Sequence, residues 1–411
     1  MKRKSLVIAA GALTLTLAGA ACGSTADTVA KPATSVLPGT ATRDAGPGSA
    51  ASGLRATLTD LLVEHEYLAG ITISTAVSTG LDSDATKGAS EALDKNSVAL
   101  SEAIDSVYDG AGKSFLPLWR KHIGFFVDYT VGKVSKDEAK QKTAREGLDG
   151  YRSDFGAFLA SANPNLTKEA VADALVPHVN STFDAIDALV AGSPDAFAKL
   201  REGAAVMPGI AEVLAGAIAK QFPDKIAGDP GSAGSGLRSA LTTLLVEHEY
   251  LAGITISTAV ANGLDAAPTK AASAALDANS VALSDAIDSV YEGAGKSFLP
   301  LWRKHIGFFV DYTVGKLSND EAKQKTAREG LDGYRNDFGA FLASANPNLT
   351  KDAVADALVP HVNTTFDAID AMTAKSPTAF VKLQEGAQVM PGIAEVLAGA
   401  IAAQFPDKFA K

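Results

Sequence analysis

All six histidines of this 411-residue chain fall into two sets of three with one spacing: His65, His122 and His178, then His248, His305 and His361, each 183 residues further on. Neutral imidazole is the commonest ligand for transition-metal ions and for haem iron, so three imidazoles brought to one point would make a metal or haem site. Met207 and Met390 occupy equivalent places in the two sets. Their thioethers suit copper(I) or an axial position on haem, which makes copper, iron or haem the candidate cofactors. The competing reading is that each histidine is a buried, hydrogen-bonded core residue and each methionine a core filler.

Other chemistry has little support. The chain has no Glu-x-x-His pair of the di-iron type, no His-Glu-x-x-His, no Gly-rich phosphate loop, no Gly-x-Ser-x-Gly elbow and only one cysteine. Di-iron, zinc-protease, nucleotide-dependent and serine-hydrolase sites therefore lack their usual residues. A non-catalytic protein is favoured over an enzyme, with redox chemistry at the histidines as the least supported reading. Glu64, Glu66, Asp128, Asp184 and Asp187 flank the histidines in sequence and are candidates to orient the imidazoles, or else solvated faces.

The elements that must carry these residues come from a duplication. Residues 54–225 recur as 237–408 without a gap, and 110–133 return unchanged as 293–316. Differences gather in 78–95 and 189–205, as in Asp84 against Ala267 and Arg201 against Gln384, and these segments read as solvated. Periodicity is helical throughout. It predicts six helices per copy, in the first over about 54–78, 84–109, 112–133, 135–162, 168–191 and 193–222. A capping box, Ser135-Lys136-Asp137-Glu138, opens the fourth, Thr167 caps the fifth, and Ser193-Pro194 starts the sixth. The expected fold is all-α: two tandem up-and-down helical bundles of about six helices each.

In such a bundle His65, His122 and His178 lie on alternate, parallel helices, each about ten or eleven residues from the start, hence at one height. Pro117, Pro177 and Pro208 lie near His122, His178 and Met207, where kinks would shape a pocket. No stretch beyond the N-terminal leader reads as long and apolar enough to span a membrane.

Composition bounds the rest. With 46% apolar and 20% charged residues, the chain is long enough for more than one core. Its net charge of -10, about -13 once Lys2, Arg3 and Lys4 are removed, argues against nucleic acid as a partner. Residues 1–22 read as an export signal: a basic start, an apolar run over 6–17 and the small residues Ala18, Gly19, Ala20 and Ala21. Cys22 follows them as in the lipobox of bacterial lipoproteins, with Gly19 in place of the usual leucine. It is the predicted lipidation site and membrane anchor; the alternative is cleavage after Ala20 and a secreted chain. Residues 23–52 read as a flexible linker, 53–227 as the first repeat, 228–236 as a Gly/Pro/Ser linker and 237–411 as the second repeat.

The block from Phe115 through Trp119, His122, Asp128 and Tyr129, with Phe155, Phe158, Asn163-Pro164, Pro177-His178 and Gln221-Phe222-Pro223, resembles an uncharacterised helical repeat of secreted proteins of Gram-positive bacteria, some labelled copper amine oxidase-like. The resemblance covers each repeat and implies an envelope location without naming an activity. No Asn-Tyr pair, from which that oxidase matures its quinone, occurs here. The sequence thus points to an extracytoplasmic, lipid-anchored protein whose domains bind a metal ion or haem, or to an interaction or spacer module that meets a cell-wall or protein partner and whose histidines are structural.

Overall fold

The computed structural model describes residues 46–409, so the export leader, Cys22 and the linker up to residue 45 lie outside the described residues. After a 3-10 turn at Gly46–Gly48, the first copy runs through α1 (Ala50–Thr79), α2 (Asp84–Val107), α3 (Gly112–Ser135), α4 (Glu138–Ala162), α5 (Lys168–Ala174), α6 (Val176–Ala191), α7 (Ala196–Ala204) and α8 (Met207–Gln221). The second copy repeats the series as α9 (Ala233–Asn262), α10 (Ala267–Val290), α11 (Gly295–Ser318), α12 (Glu321–Ala345), α13 (Lys351–Ala357), α14 (Val359–Thr373), α15 (Ala379–Ala387) and α16 (Met390–Gln404), followed by a single turn, α17 (Pro406–Phe409). No strand occurs among the described residues, and the all-α class stands.

Each copy has eight helices rather than six, because the two predicted C-terminal helices are each broken in two. The breaks fall at Leu175 and at Ala205-Val206, just before Pro177 and Pro208. Proline cannot donate to the carbonyl four residues back and its ring crowds that carbonyl, so the helix stops and a new one starts with proline in its first turn. Of the three expected kinks, only Pro117 remains inside a helix, α3. The predicted capping box at Ser135 does not form. α3 runs on to Ser135, Lys136 turns the chain in the left-handed region at φ 59°, and Asp137 caps α4 by accepting from the Lys140 N–H at 3.0 Å.

The segments 196–221 and 379–404 are long and apolar enough to cross a membrane by length and composition alone, which corrects the expectation that none is. In this fold each is interrupted and packs, partly buried, within the helical array.

The linker between copies is shorter than expected, since Ser232 caps α9 and residues 233–236 are helical. The repeat itself starts earlier: Pro47-Gly48-Ser49-Ala50 matches Pro230-Gly231-Ser232-Ala233. Arg55 donates to the Pro230 carbonyl at 2.7 Å and Arg238 to the Pro47 carbonyl at 3.0 Å, so each copy grips the chain entering the other.

The copies belong to one compact unit, with α1 lying along α9. Thr59 and Ser239 hydroxyls meet at 2.8 Å, and the Tyr67 and Tyr250 rings stack at 5.7 Å between centroids, 5° from parallel. Each tyrosine hydroxyl donates to a buried glutamate of the other copy at 2.9 Å, Tyr67 to Glu247 and Tyr250 to Glu64. Asn96 and Gln384 also donate to Glu64, whereas Asn279 and Arg201 donate to Glu247. The segments 189–205 and 372–388 are therefore not simply solvated. Arg201 and Gln384 are the residues with which each copy reaches the other's glutamate. Gly88 plays a related part: a Cβ there would collide with the Pro377 carbonyl, so the bare backbone is what lets α2 approach the turn before α15.

This network yields a stability prediction. Glu64 has only neutral donors, and burial pushes its carboxyl above the ordinary range, whereas Glu247 keeps a guanidinium. Tyr250→Phe should therefore cost about 1.5–3 kcal/mol in denaturant unfolding at pH 7, and Tyr67→Phe less. Equal costs would show that the two glutamates are equally well held.

Candidate metal centre

His65 projects from the middle of α1, His122 from the middle of α3 and His178 from the first turn of α6. The equal-height argument therefore holds for two of them. The third arrives because the break at Leu175 restarts the helix just before it. All three converge nonetheless. One ring nitrogen from each lies within 4.8 Å of the other two, all three residues are buried, and the group can hold a metal ion; His248, His305 and His361 form the same group. Ring centroids stand 5.2, 6.2 and 6.3 Å apart in the first copy and 5.2, 6.2 and 6.4 Å in the second.

Two imidazoles face each other directly, His65 Nε2 and His122 Nε2 at 3.2 Å. Their Nδ1 atoms are buried without a hydrogen-bond partner, so nothing on that side decides which of the two Nε2 atoms donates to the other. Trp119 packs 4.8 Å from the His65 ring and 4.5 Å from the His122 ring, and Tyr151 stacks on His122 at 4.9 Å. Burial in this aromatic wall, reinforced by the neighbouring His178, lowers the affinity of His65 for a proton to a pKa of about 3. Burial, then the other two histidines, pushes His122 well below its usual value. Both rings are neutral at pH 7, the state in which imidazole binds metals.

His178 is oriented by a carboxylate. Its Nδ1 lies 3.3 Å from Glu66 Oε2 and 3.3 Å from Thr182 Oγ1, and the same hydroxyl reaches both Glu66 oxygens at 3.3 and 3.4 Å. With Nδ1 engaged, Nε2 is the nitrogen free to bind. Glu66 is 1% exposed, and no lysine or arginine pairs with it among the described residues. Gly203 leaves space for it, since a Cβ there would strike Glu66 Oε1. Glu249, Thr365, His361 and Gly386 repeat this arrangement.

Beside the histidines lies a cavity of about 20 Å³, lined by His65, His178, Glu66, Thr72, Phe126 and Thr182 among others, with its counterpart of about 20 Å³ in the second copy. That is room for one water or one ion. A haem needs several hundred Å³ and does not fit between the packed rings. Met207 and Met390 are not brought to the site: they are buried at the starts of α8 and α16, α8 packs chiefly on α1, and neither methionine lines the cavities. The break before Pro208 puts Met207 at the start of α8, outside the lining of the cavity.

Of the flanking acids, only Glu66 turns toward the histidines. Glu64 faces the other copy, Asp128 pairs with Lys140 at 2.7 Å, Asp187 accepts from Tyr129 and pairs with Lys133, and Asp184 is exposed. Thr182, Trp119, Tyr151 and Gly203 were not foreseen as site residues. The signal available for Thr182 was its place one turn after His178.

Comparison with protein-family models, curated proteins and solved structures returns no match for this chain.

The lowered histidine pKa values set a pH dependence for the metal-free protein. An unfolded histidine takes up a proton near pH 6.5, and the folded His65 and His248 refuse it until about pH 3. The unfolded state binds more protons across that window, so stability is full above about pH 6.5 and falls as the pH drops toward 3. Each histidine that stays neutral contributes about 1.4 kcal/mol per pH unit. Denaturant unfolding at pH 7.5, 6, 5 and 4 should show the decline, and His122→Gln with His305→Gln should make it shallower. A flat profile in the parent protein would refute the neutral pairs.

Proposed function

We propose that this is an exported, membrane-tethered protein of two tandem helical bundles, each holding one first-row transition-metal ion through His65, His122 and His178, or through His248, His305 and His361. Its role is to store, scavenge or sense that metal outside the cytoplasm. Leader, lipidation at Cys22 and linker enter this reading from the sequence pattern alone. What carries the metal reading is one observation: three imidazoles converge, two of them neutral, and His65 and His178 border an ion-sized cavity beside a buried carboxylate that no lysine or arginine neutralises.

Charge supplies the physical argument. A buried carboxylate without a cation is costly, and Glu66 has for company only a hydroxyl and an imidazole. A dication among the imidazoles would compensate it, with Glu66 holding His178 in the ligating tautomer, an arrangement common around bound metals. The distances are compatible. A tetrahedral ion with metal–nitrogen bonds of about 2.0–2.1 Å keeps neighbouring nitrogens about 3.3 Å apart, close to the 3.2 Å between His65 and His122. Imidazoles with a carboxylate behind them suit zinc, copper, iron or nickel rather than magnesium or calcium.

Metal-free full-length protein titrated with zinc or cobalt(II) should take up two equivalents per chain and gain about 2.7 kcal/mol of stability per site at one hundred times the dissociation constant. His122→Gln with His305→Gln should abolish uptake while circular dichroism shows the helices intact. Absence of uptake by the parent chain would leave the histidines as structural core and favour a spacer or interaction module.

A further inference from the structure

The two histidine sites match in every residue that touches the imidazoles, so a difference in their hold on an ion has to come from further out. Two differences in charge stand beside the paired glutamates Glu64 and Glu247. Asp60, one turn before Glu64, is replaced in the second copy by Thr243, and Arg201 is replaced by Gln384. Because each copy reaches across the interface, these differences add rather than cancel. Gln384 of the second copy donates to Glu64, next to His65, at 2.7 Å. Arg201 of the first copy pairs with Glu247, next to His248, at 2.6 Å.

The carboxylate adjoining the first site therefore has a second acid one turn away and no cation, and Asp60 Oδ1 is buried without a partner. The carboxylate adjoining the second site has a guanidinium, with Thr243 in place of the second acid. With all these groups ionised the first surroundings are more negative by two charges. Nothing in the inner arrangement offsets it: both copies have the same Glu–His–Thr contacts at the same 3.3 Å.

We propose, resting on the metal reading above, that the two sites load in order, the one at His65, His122 and His178 before the one at His248, His305 and His361, and that Asp60, Arg201 and Gln384 set the order. A dication responds to each nearby unit charge with twice the Coulomb energy of a monovalent ion. At the effective dielectric of protein interiors one such charge is worth at least about tenfold in affinity over the width of this helix pair. The chain would then buffer a metal over a wider concentration range than two equal sites, one copy filled while the other still responds.

Zinc titration of the metal-free full chain against a chromophoric chelator tests this. The parent protein should bind two zinc ions in two steps at least about tenfold apart. Asp60→Thr with Gln384→Arg gives both copies the second copy's surroundings and should merge the steps at the weaker affinity. Thr243→Asp with Arg201→Gln should merge them at the stronger one. His248→Gln should leave the tight step and His65→Gln the weak one. Two equal sites in the parent chain, or a tight step that survives His65→Gln, would overturn the order while leaving the metal reading intact. Absence of zinc uptake by the parent chain would overturn both.

Discussion

Four consecutive side chains, Glu64, His65, Glu66 and Tyr67, are all but fully buried in the middle of α1, and Glu247, His248, Glu249 and Tyr250 are buried likewise in α9. A helix turns about 100° per residue, so four neighbours point in four directions. They can all be buried only if the helix is surrounded. The rest of the structure meets that constraint. α9 takes Tyr67, α2 and the second copy take Glu64, α3 meets His65, and α6 with α7 encloses Glu66. Polar groups in such a place are tolerable only when partnered, and the partners come from separate parts of the chain.

The duplication is what allows both central helices to be surrounded at once. In a single copy the outer sides of Glu64, Thr59 and Tyr67 would face water or an unfilled apolar surface. Here the second copy supplies Tyr250, Ser239 and Gln384, and receives Tyr67, Thr59 and Arg201 in return. The exchange resembles the two-fold contact of a homodimer, in which one patch meets its own image. Once both halves lie on one chain their sequences can diverge separately. They have done so at Arg201 and Gln384, and at Asp60 and Thr243, which place unlike charge beside corresponding glutamates. The histidine groups lie within each copy and keep the same geometry, but they share α1 and α9 with the interface. The candidate metal ligands and the subunit-like packing thus use adjacent residues of the same two helices.

Much was legible without coordinates. Helical periodicity and the gapless repeat determine an all-α chain with two equivalent sets of elements, since a 3.6-residue apolar pattern buries well in no other way. The presence of His65, His122 and His178 on inward faces followed from the same pattern. Helix boundaries were less secure, because prolines and caps compete locally: Pro177 and Pro208 read as kinks within helices, whereas each begins a new one.

The tertiary structure alone decided which side chains meet. Sequence pattern says that a residue faces inward but not what stands opposite, and the latter depends on how separately formed helices are rotated and docked. That is why Met207, equally inward by pattern, does not line the cavity, why Glu66 emerged from five candidate acids as the partner of His178, and why Arg201, read as solvated, proves to cross into the other copy. Residue types, their repetition and their helical phase were local properties of the chain. The convergence of three imidazoles beside one carboxylate without a lysine or arginine, and the unlike charges outside the two copies of that group, arise from contacts between residues dozens to hundreds of positions apart.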